Sequence, residues 1–121
     1  MGKFVIKQTA KGYKFNLLAA NGQVIAASEV YKTEAACRKG VQSVTVCAPT
    51  AHIADLTGEG KTPPNPKFEL YKDKADQYRF RLKARNGQII AVSEGYTSRS
   101  ACENGIDSLR KNAADAAVEQ I

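Results

Sequence analysis

The chain repeats itself. Tyr13-Lys14-Phe15-Asn16-Leu17 returns as Tyr78-Arg79-Phe80-Arg81-Leu82, and Asn21-Gly22-Gln23-Val24-Ile25-Ala26-Ala27-Ser28-Glu29 returns as Asn86-Gly87-Gln88-Ile89-Ile90-Ala91-Val92-Ser93-Glu94. At the same offset Tyr31 meets Tyr96, Cys37 meets Cys102, Gly40 meets Gly105 and Ser43 meets Ser108. Roughly half of the positions from Tyr13 to Val44 are identical, which chance does not produce over such a length. The chain therefore carries one unit twice, over 1–57 and 67–121, and any fold assigned to it must be built twice. Between the copies, Gly58-Glu59-Gly60-Lys61-Thr62-Pro63-Pro64-Asn65-Pro66 is too rich in Gly and Pro to continue a helix or a central strand, so 58–66 reads as a linker. The second copy has one extra residue before Tyr78, which marks a turn there.

Each copy has the same internal order. Phe4 and Ile6, or Phe68 and Leu70, alternate in a first short run; Tyr13, Phe15, Leu17 and Ala19, or Tyr78, Phe80, Leu82 and Ala84, alternate in a second. A period of two puts one set of side chains on one face of a strand. Asn-Gly between alternating runs signals a two-residue type I′ hairpin, with a third strand starting near Gln23 and Gln88. Thr33 and Ser98 offer hydroxyls as helix N-caps. Behind them Cys37, Gly40, Val41 and Val44, or Cys102, Gly105, Ile106 and Leu109, fall at helical spacing on one apolar stripe. Alternation around Ile53 and Val118 permits a short closing strand.

A unit near 60 residues buries a small core, so neither copy is expected to stand alone, whereas two copies sharing one sheet bury more apolar surface and protect strand edges. The whole chain is 43% hydrophobic and 25% charged, too apolar for disorder and too charged for a membrane span. Met1 to Lys7 lacks an apolar signal core, and the three cysteines form no CxxC pair; a soluble cytoplasmic protein with reduced thiols is the expectation.

The paired Asn-Gly-Gln-(Val/Ile)-Ile-Ala, Ser-Glu-x-Tyr and Ala-Cys-x-x-Gly-(Val/Ile)-x-Ser stretches resemble the YegP-like family of small bacterial proteins, over nearly the whole chain. The resemblance implies an α+β fold: two β(3)-α-β units forming a single antiparallel sheet, with helices on one face and C-terminal strands exchanged. It brings no established activity.

Few residues suggest chemistry. Gly60-Lys61-Thr62 ends like a phosphate-binding loop, but Asp55 stands where that motif needs Gly, and Pro63-Pro64 follows where a helix must open. His52 is the only histidine, and Ala117 takes its place in the other copy. Cys37 and Cys102 read as core thiols. Mid-helix Gly40 and Gly105 imply close approach of another backbone. With no nucleophile and base, metal cluster or cofactor fingerprint to assemble, a non-enzyme without cofactor or metal is expected.

Two sets of residues remain as binding candidates. Ser28, Glu29, Tyr31 and Ser93, Glu94, Tyr96 occupy the connection before each helix, where free N–H groups attract anions, although Glu repels them and Ser and Tyr equally suit a structural turn. Arg79, Arg81, Lys83 and Arg85 alternate with the inward residues of the second copy, forming a basic stripe on the sheet face away from the helices. A two-residue turn would set Val92 opposite Arg81 and Ile90 opposite Lys83, adding apolar contact. This face suits a small interaction module with an unknown, acidic or oligomeric partner. The alternative is weak, sequence-independent nucleic-acid binding, disfavoured because the stacking aromatics alternate to the other side and Tyr71 alone faces outward. No membrane partner is expected, and a monomer is, because the duplication replaces a dimer.

Overall fold

The computed structural model describes residues 2–56, 63–114 and 116–121. In each copy three strands, a helix and a fourth strand follow in order: β1 (Lys3–Thr9), β2 (Gly12–Leu18), β3 (Val24–Ala27), α1 (Glu34–Cys47) and β4 (His52–Asp55), then β5 (Lys67–Lys72), β6 (Tyr78–Lys83), β7 (Ile89–Ser93), α2 (Arg99–Ala113) and β8 (Ala117–Gln120). The caps are the anticipated ones: Thr33 Oγ1 accepts from the Ala36 N–H and Ser98 Oγ from the Ala101 N–H, each at 3.1 Å. The extra residue of the second copy lies in the β5–β6 turn, which Asp73 organises by accepting from the N–H groups of Ala75 and Gln77. Gly60-Lys61-Thr62 and most of the linker lie outside the described residues.

The two hairpins of Asn21-Gly22 and Asn86-Gly87 depart from the expected turn. The Ala19 N–H donates to the Gln23 carbonyl and the Gly22 N–H to the Ala19 carbonyl, so the loop has three residues, Ala20-Asn21-Gly22. Only Gly22 (φ 86°) and Gly87 (φ 84°) take positive φ, whereas a type I′ turn requires it of Asn as well. The added loop residue is accompanied by a bulge. Leu17 pairs with Ala26 but Leu18 with Val24, and Leu82 pairs with Ala91 but Lys83 with Ile89.

All strands join one sheet in the order β4-β5-β6-β7-β3-β2-β1-β8. The copies meet at its centre, where Ala26 faces Ser93 and Ala27 faces Val92. Their last strands are exchanged: β4 pairs with β5 of the second copy, and β8 returns to β1 of the first. Antiparallel pairing holds across the six inner strands only. The two exchanged strands run parallel to their neighbours, because each follows a helix that carries the chain back across the sheet.

Both helices cover one face. Between them and the sheet lie Phe4, Ile6, Phe15, Leu17, Phe68, Leu70, Phe80 and Leu82 with the helix stripes that contain Cys37, Val44, Cys102, Ile106 and Leu109. Phe4 and Phe68 meet Phe15 and Phe80 edge-on, with centroids 5.7 and 5.8 Å apart. The exchange is fastened by α2. Its Arg110 donates to the carbonyls of Ala48 (3.3 Å) and Ala51 (2.5 Å) in the α1–β4 connection while lying over the Phe68 ring, and its Arg99 pairs with Asp55 of β4. No described helix is long and apolar enough to cross a membrane.

Candidate functional site

The sheet face away from the helices is covered by no described element. Strand pairing places one continuous row of residues across it: Ala54, Glu69, Arg81, Val92, Ala27, Asn16, Val5 and Glu119. The apolar pair Ala27 and Val92 marks the pseudo-two-fold centre. On either side the copies have diverged, since Glu69 and Arg81 stand where the first copy has Val5 and Asn16. The Asn16 Oδ1 is buried without a hydrogen-bond partner among the described residues.

The anticipated stripe of free cations is replaced by an ion-paired cluster. Glu69, only 5% exposed, accepts from Arg81 Nε at 2.7 Å and has Lys83 Nζ at 3.4 Å and Lys67 Nζ at 3.8 Å. The Arg81 guanidinium lies 4.7 Å from the ring centre of Tyr71, which does face outward. Arg79 pairs with Asp73 at 2.5 Å and donates to the Ser93 carbonyl at 3.1 Å. Three cations around Glu69 leave the cluster net positive, fixed in place and half-buried. Arg85 does not belong to it; the three-residue turn carries Arg85 away, beside α1.

Ile90 is also lost from this face. As the bulged residue it turns into the core and is 5% exposed, and Ile89 takes the position opposite Lys83. Val92 sits opposite Arg81 as anticipated. Glu69 and Lys67 are not among the sequence candidates. The alternation of Phe68 and Leu70 already puts Glu69 on the outer face, but its meeting with Arg81 depends on the β5–β6 register, which the extra turn residue conceals.

Burial is the largest influence on the Glu69 carboxyl and pushes its pKa up. The Arg81 hydrogen bond and the charges of Arg81 and Lys83 together outweigh it and hold the pKa below the ordinary value of 4.5. A carboxylate whose pKa is depressed by folding stabilises the protein above its unfolded value, and that contribution fades as pH falls through the folded value. Replacing Glu69 by Gln is expected to cost about 2 kcal/mol at neutral pH, mainly by leaving partly buried cations uncompensated. Urea unfolding at pH 7 and pH 3 checks this: the gap between wild type and variant should shrink at the lower pH, and a gap independent of pH would refute it.

The Ser-Glu-x-Tyr connections are structural joints. Ser28 Oγ accepts from the Phe15 N–H at 2.9 Å and donates to the Glu29 carbonyl, and Ser93 repeats both bonds with Phe80 and Glu94. Tyr31 and Tyr96 exchange paired backbone hydrogen bonds with Tyr13 and Tyr78, and their rings stack on Phe15 and Phe80. Their hydroxyls reach Gly40 and Gly105, so a tyrosine ring rather than another backbone fills the space that these glycines leave. Burial raises the pKa of both phenols. Glu29 and Glu94 are exposed, and His52 projects from edge strand β4.

A family model described as a domain of unknown function (DUF1508) matches the chain twice, over residues 9–55 and 73–120. A UPF0339 protein, YegP, of Yersinia pestis is 34% identical over 122 residues, spanning 100% of this chain and 96% of its own. A UPF0339 protein of Treponema denticola is 60% identical over 55 residues, which is 46% of this chain and 95% of that relative, so the relative has the length of one copy. The solution NMR structure of yegP from E. coli, titled a protein of unknown function, matches with a TM-score of 0.81 at 28% identity, covering 98% of this chain and 91% of that one. A UPF0339 protein of Shewanella oneidensis gives 0.81 at 29% identity, covering 98% and 90%.

Proposed function

We propose, from the premise that this chain belongs to the DUF1508 family as its repeated motifs anticipate, that it is a non-catalytic binding module which engages an acidic protein segment through the open face of its sheet. The observation that carries this reading is the Lys67, Arg81 and Lys83 cluster around Glu69, on the side of the sheet that no described element covers. The cluster costs little to order on binding, since Glu69 and Tyr71 already hold the cations in place. Val92 and Ala27 beside it provide apolar contact at the centre of the face.

The chemistry of the remaining residues supports a non-catalytic role. Burial raises the Cys37 thiol and lifts Cys102 to about 11, away from the thiolate that nucleophilic work requires. A nucleic-acid strand is a poorer fit for the face than a protein, because Tyr71, the aromatic side chain that faces outward there, already lies against the Arg81 guanidinium and is not free to stack on bases.

Affinity capture from a cell lysate, with and without nuclease and at two salt concentrations, tests the reading against the Lys67→Gln/Lys83→Gln variant, which keeps the Arg81–Glu69 pair. A protein partner that survives nuclease and is reduced about tenfold by the variant is expected, as for loss of two partly exposed ionic contacts. Capture that vanishes with nuclease would support nucleic acid instead. Capture unchanged by the variant would remove the face from consideration.

A further inference from the structure

The cation displaced from the stripe marks a second site. Arg85 and Asn86 of the β6–β7 turn face Lys39, Gln42, Ser43 and Val46 of α1 across an open cleft of about 620 Å³, bordered by Ala84 and Cys47. That volume lies within the range of small-molecule sites. The cleft joins a helix of one copy to a turn of the other, so it exists only because the copies share one sheet.

Its cations differ from those of the sheet face. Every cation around Glu69 and Asp73 has a carboxylate partner, whereas neither Lys39 nor Arg85 forms an ion pair with a described residue, and no carboxylate lines the cleft among the described residues. The amides of Gln42 and Asn86 and the Ser43 hydroxyl add hydrogen-bonding groups. Val46, 66% exposed, adds apolar surface beside them. The negative end of α1 is partly neutralised beside this cleft. The Cys47 carbonyl accepts from the N–H groups of Thr50 and Ala51, and Arg110 caps Ala48 and Ala51.

The duplication supplies a built-in control. In the sequence repeat, Lys39, Gln42, Val46 and Arg85 correspond to Asn104, Asp107, Lys111 and Ala20. Both cations that face this cleft are thus absent from the matching positions, and a carboxylate replaces Gln42. The unopposed positive pair has arisen on one side only of a pseudo-symmetric protein.

We infer that this cleft binds a small organic anion, its carboxylate or phosphate held between Lys39 and Arg85 and its apolar body against Val46 and Ala84. Two cations lining one cleft, with amide side chains alongside, can provide the charge-assisted contacts such a group needs. Cys47 gives an independent readout. It borders the cleft and keeps 6% of its surface exposed, whereas Cys37 and Cys102 are wholly buried.

The test is a titration of the full chain with phenyl phosphate, followed by amide NMR shifts, with phenol as the uncharged counterpart. The Lys39→Asn/Arg85→Ala variant restores the residues that the other copy already carries at these positions, so the fold should be retained. Phenyl phosphate should move the amides of the 39–47 and 84–86 segments and slow the reaction of Cys47 with N-ethylmaleimide. The variant should weaken both effects about tenfold, the loss expected when two solvent-exposed ionic contacts are removed. Equal shifts with phenol, no shifts at millimolar phenyl phosphate, or equal affinity in the variant would each overturn the assignment.

Discussion

Chains cut between Gly60 and Lys61 are expected to lose their fold as separate halves and to recover it when mixed. Strand β4 has no partner within its own copy, because its pairing residues lie in β5, and β8 depends in the same way on β1. Separation also exposes both central edges, where Ala26 and Ala27 meet Ser93 and Val92. The helices do not compensate. Arg110 and Arg99 of α2 fasten the end of the first copy, so their bonds are lost as well. A half of this size retains too little buried apolar surface to offset these losses, and its entire stability, roughly 5–15 kcal/mol in a typical domain, is at stake. Thermal unfolding and sedimentation of each half measure this. Each half should melt without a cooperative transition at low concentration, and the mixture should melt cooperatively at a temperature that rises with concentration. A monomeric half with a sharp, concentration-independent transition would refute the argument.

The same features explain what the sequence disclosed and what it concealed. Repetition, period-two alternation and the capping hydroxyls of Thr33 and Ser98 are local signals, so the element order and the core residues were legible directly. The exchange of β4 and β8 was legible only through a family resemblance, since nothing within Ala51–Leu56 says which copy it pairs with. The Asn-Gly pairs mislead about the turn. Those two residues suit a two-residue turn, yet Ala20 and Arg85 join the loop, and that single residue shifts the register enough to put Ile90 in the core and Arg85 beside α1. The basic stripe failed for a different reason. Charge alternation along β6 was correct, but the carboxylates that neutralise it come from β5 and its turn, and cross-strand partners are not visible in one strand's sequence. The candidate site was therefore legible in the positions of Arg79, Arg81, Lys83 and Val92, but not in those of Arg85 and Ile90 nor in its electrostatics.

Gly40 and Gly105 carry the other large effect. An exposed mid-helix Gly replaced by Ala ordinarily gains about 1 kcal/mol, because Ala loses less backbone freedom on folding. Here the sign should reverse. A Cβ at Gly40 would lie 2.4 Å from the Tyr31 hydroxyl oxygen, 2.8 Å from its Cζ and 3.1 Å from Phe15 Cε2; at Gly105 it would meet Tyr96 and Phe80 at the same distances. The ring cannot withdraw easily, because Tyr31 is pinned to Tyr13 by backbone bonds of 2.6 and 2.7 Å and its other face stacks on Phe15. Overpacking of this kind costs a few kcal/mol, so each Gly→Ala change should destabilise by about 2 kcal/mol net of the helical gain. The two sites share no partner, so the Gly40→Ala/Gly105→Ala double variant should lose about 4 kcal/mol, a large part of a domain's stability. Denaturant unfolding measures the loss, and Tyr96→Phe supplies the internal check. Removing the hydroxyl relieves the nearest clash at Gly105 but leaves Cζ within 3 Å, so it should restore part of the stability lost in Gly105→Ala and none of that lost in Gly40→Ala. A Gly105→Ala variant that proves more stable than wild type would show that the ring has room to move, and would remove close tyrosine packing as the reason for glycine in both helices.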